Sequence, residues 1–289
     1  MPAQVPSVTF ANGQRWPALG LGTWRYGERT SGRAAELAAL RVAIEIGYRV
    51  FDTAEMYGEG GAESILGDAL QAAIRTGTVS RSEVFVVSKV YPHNADRAAM
   101  QVACEASCRR LGVDCIDLYL LHWRGQVPLA DTVAGFEELL RQARIAQWGV
   151  SNFDTAGLCE LAAVPGGSAC AANQVYASVS ERGAEFELLP WQQERSMPLM
   201  AYSPIDQGAL ANHATLTHIA RRHAGATPAQ VALAAMMALP GVMVIPKTSQ
   251  PERLRENWAA GALHLTSEDR TDLDRAFPPP RRKRPLAML

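Results

Sequence analysis

The sequence predicts an α/β fold: a single (β/α)8 TIM barrel over residues 1–289, with a short N-terminal hairpin and an extra C-terminal helix. Three observations carry that expectation. Strand and helix signals alternate almost to the end of the chain and give about eight strands. No composition break or linker divides the chain, whose 289 residues fall in the usual barrel range of roughly 200–400. Three successive strand-like runs also close on residues able to handle protons, and in a barrel the C-terminal strand ends share one face. The alternation by itself does not separate a closed barrel from an open doubly wound sheet.

The hairpin is expected over residues 8–14 and 17–20, and residues 19–24 read as the first barrel strand and its exit. A helix over 34–46 places Leu37, Leu40 and Ile44 on one face and pairs Arg41 with Glu45 on the other. Gly47 stops it. Helices over 62–75 and 97–110 precede the strands that end near Lys89 and His122. A helix over 131–143 leads into the strand 146–152, and further strands are expected at 171–176, 198–202 and 242–245. Helices over 186–195, 227–239 and 251–260 lie between or after them. A last helix over 267–277, with Ser267 as N-cap and an acidic first turn, precedes a short basic tail.

Asp52 and Tyr57 follow the run 48–51, Lys89 follows 84–87, and His122 follows 116–121. Singly, each has an ordinary reading: a turn cap, a loop aromatic, a surface charge, a core histidine. Together at three consecutive strand ends they suggest protonation of a carbonyl oxygen. A free tyrosine titrates near about 10 and is a sluggish donor at neutral pH. A lysine ammonium within ~4–6 Å would lower that value by about 1–3. Asp52 on the adjacent strand can keep a buried Lys89 charged, and His122 can orient the carbonyl. The carbonyl carbon then needs a hydride, which implies a nicotinamide cofactor.

With these residues in place the sequence resembles an aldo-keto reductase over nearly its whole length, from Gly20 to Asn257. The resemblance implies Tyr57 as general acid, Asp52 and Lys89 as its tuning pair, and His122 positioning the carbonyl. It also implies NADPH/NADP+ as cofactor. The stretch 149–153 is similar to the family segment whose Ser151 and Asn152 hold the nicotinamide carboxamide, with Gln174 as third contact. Tyr202, followed by Ser203 and Pro204, matches the aromatic that stacks on the nicotinamide. Lys247, Thr248, Ser249, Arg253, Glu256 and Asn257 match the segment around the adenosine 2′-phosphate and adenine. Two cations beside a helix N-terminus suit a phosphate, which favours NADPH over NADH. Gly22, Thr23 and Trp24 border the cofactor, and Trp24, Tyr57, His122 and Trp123 are the expected substrate contacts.

Arg124 stands where many members have proline, and Tyr176 precedes Ala177 rather than a more polar pair. Short loops over 122–129 and 203–214, and a short tail after Phe277, imply an open pocket for small, varied aldehydes and ketones, including 2-oxoaldehydes such as methylglyoxal. Two rival readings remain: a barrel lyase using Lys89 as a Schiff-base amine, and a non-catalytic NADPH-binding regulatory member of the family.

A formal net charge of −1 gives no reason to expect nucleic acid or an anionic membrane as partner. The run 281–284 reads as a solvated tail. Gly20 and Gly22 invite a dinucleotide fingerprint, but Arg25 occupies the third glycine position. Cys104, Cys108, Cys115, Cys159 and Cys170 form no CxxC pair. Cys104 and Cys108 lie four apart on a predicted helix face, a spacing that also suits metal, but no histidine or carboxylate partners them in a zinc-like pattern, so buried free thiols and no metal are expected. The first residues lack the marks of a signal peptide, and no apolar run reaches the ~18 residues of a membrane span. A cytoplasmic monomer is expected.

Overall fold

The structure is a computed structural model and describes residues 5–289; the start 1–4, read above for targeting signals, lies outside the described residues. Two short strands, β1 (Ser7–Thr9) and β2 (Arg15–Pro17), pair antiparallel with Val8 opposite Trp16. The second strand therefore lies earlier than expected, because Asn12-Gly13 makes the turn, with Gly13 at φ 83°. Phe10 and Trp16 reach Phe85 at ring-centroid distances of 5.4 and 5.0 Å. Phe85 opens its strand, so the hairpin covers the barrel end opposite the strand C-termini.

The barrel strands are β3 (Leu21–Gly22), β4 (Val50–Asp52), β5 (Phe85–Val90), β6 (Leu118–Leu121), β7 (Trp148–Ser151), β8 (Asn173–Tyr176), β9 (Leu199–Tyr202) and β10 (Val242–Val244). They lie side by side in chain order, all parallel. Parallel bridges Leu19–Val244 and Gly22–Lys247 join the first strand to the last. There Gly20 N–H donates to Val244 O at 2.8 Å. The sheet is thus closed, which excludes the open alternative.

Around it run α1 (Arg33–Ile46), α2 (Gly61–Arg75), α3 (Arg97–Leu111), α4 (Leu129–Arg141), α5 (Thr155–Ala163), α6 (Leu188–Gln193), α7 (Ala214–Arg221), α8 (Pro228–Met237) and α9 (Pro251–Ala259), followed by α10 (Ser267–Ala276). Two of these, α5 and α7, were not expected. Both are short, α5 carries an interior glycine and α7 two threonines, so local propensity is weak and tertiary packing decides. Asp154 caps α5 by accepting from Gly157 N–H at 2.8 Å. The N-cap of α10 is Thr266, in a reciprocal capping box with Asp269, and not Ser267. Gly67 lets α2 approach α3 closely, since a Cβ there would stand 2.4 Å from Arg110 O.

All five cysteines are free, and Cys104 and Cys108 are buried as expected, while Cys159 is exposed and Cys115 half-buried. Among the described residues, no group of three or more His, Cys, Asp or Glu is placed to hold a metal ion. No helix among them is long and apolar enough to cross a membrane. The tail is less free than its charge suggests: Lys283 Nζ meets Glu187 Oε1 at 2.6 Å and Leu286 packs on the core.

Candidate active site

The strand register brings Asp52, Lys89 and His122 to one end of the barrel. Asp52 closes β4 opposite Val87, and Lys89 lies opposite Leu120 near the end of β5. His122 follows β6, its N–H bonded to Val90 O at 3.0 Å. Tyr57 opens the short turn Tyr57–Gly60, in which Gly58, Glu59 and Gly60 all have positive φ. A Cβ at Gly58 would lie 2.7 Å from Tyr26 O, so glycine is what lets this turn pack against the exit of β3.

Lys89 is fully buried and Asp52 is 2% exposed. The ammonium Nζ donates to both Asp52 oxygens at 2.9 and 2.8 Å, to Thr53 O at 2.8 Å and to the Tyr57 hydroxyl at 3.2 Å. A buried lone cation would tend to lose its proton. Burial does act that way on Lys89, but Asp52 and then Tyr57 outweigh it and hold the ammonium above its ordinary value.

Tyr57 departs from expectation. Burial pushes its phenol up, Lys89 opposes this, Asp52 adds to the rise, and the net direction is upward. The expected net lowering by Lys89 fails because desolvation is the larger effect. Tyr57 is a protonated phenol at neutral pH with a cation waiting for its conjugate base.

His122 is 9% exposed, and its Nδ1 is buried without a hydrogen-bond partner. Burial first, and the Lys89 cation second, push its pKa down to about 2. The ring is therefore neutral, and with no acceptor beside Nδ1 its proton belongs on Nε2. In the unfolded chain this histidine takes up a proton near 6.5, in the folded chain only near 2. Its contribution is complete above pH 6.5 and is lost as the pH falls below that value, by about 1.4 kcal/mol per pH unit. Urea unfolding at about pH 6.5 and about pH 5 should differ by about 2 kcal/mol more in the wild type than in H122N. Equal differences in the two proteins would refute a buried neutral ring.

The remaining residues form two groups. Ser151 Oγ donates to Gln174 O at 2.8 Å, and Asn152 Nδ2 donates to Ser151 Oγ and His122 O at 3.2 Å each. Tyr202 OH donates to Asn152 Oδ1 at 3.0 Å, and its ring lies 5.9 Å from that of Tyr176. Gln174 Nε2 donates to Asp52 Oδ1 at 2.7 Å, a link that joins this group to the Asp52–Lys89–Tyr57 cluster. Thr23 Oγ1 donates to Asp52 O at 3.0 Å, Gly22 and Pro204 are buried, and Ser203 has φ 49°.

A second group lies past β10. Lys247 and Arg253 are exposed, Thr248 and Asn257 are buried, and Ser249 is half-buried. Lys247 Nζ stands 5.5 Å from the Tyr26 ring centroid, and Tyr26 OH donates to Thr248 O at 2.8 Å. Partial desolvation lowers the Lys247 ammonium, partly offset by Glu36. No side chain caps the N-terminus of α9, so its N–H donors are available. Glu256 is committed elsewhere: it accepts from Thr227 Oγ1 at 2.5 Å.

Trp24 is half-buried under the Arg25 guanidinium, 4.5 Å from its ring centroid. Trp123 is 36% exposed beside His122 and edge-on to Tyr91 at 6.0 Å. Tyr91 and Glu55 were missed. Glu55 Oε1 accepts from Tyr91 N–H at 2.6 Å and ties the Tyr57 turn to the end of β5. Tyr91 lies two residues past Lys89, so the strand-end argument that found Lys89 could have found it too. Arg124 forms a two-bond pair with Glu160 on α5, at 2.5 and 2.7 Å, which fastens the loop after Trp123 to that helix.

Comparison with known proteins places the chain in a family. The model of the aldo/keto reductase family matches residues 18–277. The chain belongs to that family. It is 45% identical to the Escherichia coli methylglyoxal reductase YeaE, over 99% of this chain and 100% of that protein. It is 32% identical to the Bacillus subtilis oxidoreductase YtbE, over 92% and 91% of the two chains. A Klebsiella pneumoniae aldo/keto reductase, crystallised with NADP and acetate, superposes with TM-score 0.93 at 44% identity, covering 99% and 100%. As an aldo/keto reductase the chain is an oxidoreductase acting between alcohol and carbonyl groups.

Proposed function

We propose that this chain is an NADPH-dependent reductase of small aldehydes and ketones, 2-oxoaldehydes such as methylglyoxal included, with Tyr57 as general acid. The observation that carries this reading is the fully buried Lys89 ammonium held between the Asp52 carboxylate and the Tyr57 hydroxyl. The reading takes residues 1–289 as one domain working as a cytosolic monomer.

The residues present fit the cofactor. Asn152, Ser151 and Gln174 gather amide and hydroxyl groups around one strand-end site, as a primary carboxamide requires. With Gln174 Nε2 turned to Asp52, its Oε1 is left to accept. Tyr202 offers a ring at the end of β9. Lys247, Arg253 and the uncapped start of α9 offer two cations and free N–H groups to a 2′-phosphate. NADPH, when bound, supplies the hydride. The protein's own part is proton delivery: His122 Nε2–H binds the carbonyl oxygen and Tyr57 OH gives it a proton. The phenolate left behind faces the Lys89 ammonium at 3.2 Å, and Asp52 keeps that ammonium charged. Trp24 and Trp123 form apolar walls for the rest of the substrate.

Loss of NADPH absorbance with methylglyoxal and a panel of short aldehydes and ketones tests the activity. Removing both cations with K247A and R253A together should raise the Kd for NADPH by about tenfold or more, since charge-assisted bonds contribute about 1.5–3 kcal/mol each. NADH binding should change far less. An equal effect on both cofactors would refute the 2′-phosphate assignment.

A further inference from the structure

The Gln174 amide is oriented more strictly than a cofactor contact requires. Its Nε2 lies 2.7 Å from Asp52 Oδ1, and both side chains are buried. Turning the amide over would set oxygen against carboxylate, so the donor must face Asp52. Asp52 also receives Lys89 on both oxygens, and Lys89 spends its other bonds on Thr53 O and Tyr57 OH. The direction in which Lys89 meets Tyr57 thus depends on the plane of the carboxylate. Lys89 and Gln174 approach that carboxylate from β5 and β8, on different sides of the barrel. Two donors anchored on separate strands hold a plane that either alone would leave free to turn.

We infer that Gln174 is a positioning residue for proton delivery: its amide fixes the Asp52 carboxylate, and through it the line from Lys89 to Tyr57. The inference rests on the reductase reading and gives Gln174 a task besides meeting the cofactor carboxamide. Continuity of the network supports this. Ser151 Oγ bonds the main-chain oxygen of Gln174, and Asn152 and Tyr202 follow from there. The groups that would hold the carboxamide and the group that delivers the proton are one hydrogen-bonded chain.

Q174E separates the two tasks. It keeps an oxygen where Oε1 accepts and changes the atom that faces Asp52. Two carboxyls at hydrogen-bond distance share one proton, which they hold to a higher pH than an ordinary carboxyl. With that proton present, an O–H donates to Asp52 as the amide did; once it is lost, the two carboxylates repel and the plane is released. We expect single-turnover reduction of methylglyoxal by Q174E, at saturating NADPH, to fall about tenfold or more as pH rises through one ionisation absent from the wild type. Saturation keeps a weaker cofactor contact out of the result. Q174M, which lacks the donor at every pH, should be slowed by about tenfold throughout, with a profile of wild-type shape. A Q174E profile of wild-type shape, or a Q174M rate equal to wild type, overturns the inference even if NADPH binds more weakly. A wild-type protein without NADPH-linked turnover would instead remove the reductase reading on which it rests.

Discussion

Replacing Tyr57 by phenylalanine is expected to slow carbonyl reduction by about 10²–10⁴-fold while NADPH still binds. The substitution removes one oxygen and leaves the ring in its turn. That oxygen lies 3.2 Å from Lys89 Nζ, and the ring centroid of His122 is 5.7 Å from that of Tyr57. His122 cannot take over as acid, because a ring that stays neutral down to about 2 binds an oxygen without delivering a proton to it. Lys89 is a poor substitute, since losing its proton would leave the buried Asp52 carboxylate without its counter-ion. The check is single-turnover reduction of methylglyoxal by wild type and Y57F, with NADPH binding followed by fluorescence. A fall of less than about tenfold would sink Tyr57 as the general acid. The same geometry weighs against the lyase alternative. An amine that forms a Schiff base must be unprotonated, whereas Asp52 and Tyr57 hold Lys89 as an ammonium. Borohydride should therefore fail to trap substrate on this lysine.

Much of this site was legible because three of its members lie at or next to the ends of apolar strand runs, and a parallel barrel gathers such ends on one face. Asp52, Lys89 and His122 needed only strand boundaries, which hydrophobic runs mark well. The hidden parts are polar groups whose partners lie far along the chain. Glu63 sits in a helix where charge ordinarily faces water, yet it is fully buried, accepting from Ser88 Oγ at 2.5 Å and Arg110 Nε at 2.6 Å. Nothing near it in sequence marks it as internal; packing α2 on α3 and β5 puts it there. The bond from Gln174 to Asp52 spans 122 positions and follows from barrel closure, not from any local pattern. The Arg124–Glu160 pair stayed hidden because it involves α5, a helix too weak in propensity to be expected. The direction of the Tyr57 shift failed for a related reason: proximity of Lys89 could be guessed from strand order, but depth of burial could not.

Removing the charge at Lys89 should damage folding as well as chemistry. K89M would leave the Asp52 carboxylate buried with only Gln174 and no cation, and breaking such a pair from one side costs about 3–5 kcal/mol. Removing both charges should cost much less, because the desolvation of two ions is relieved together. Urea unfolding near pH 7 should therefore rank wild type above K89M by about 3–5 kcal/mol, with D52N–K89M recovering a large part of the difference. The sign against pH is fixed by the direction of the shift. Folded Lys89 titrates above its ordinary 10.5, so the pair's contribution is whole below that pH and lost as pH rises through the higher folded value. Recovery of stability in the double variant should bring no recovery of reductase turnover, since no cation remains to stabilise the Tyr57 phenolate. A K89M protein within about 1 kcal/mol of wild type would mean that water reaches Asp52. The buried ion pair would then be too well solvated to shape the acidity of Tyr57 or to stabilise its phenolate.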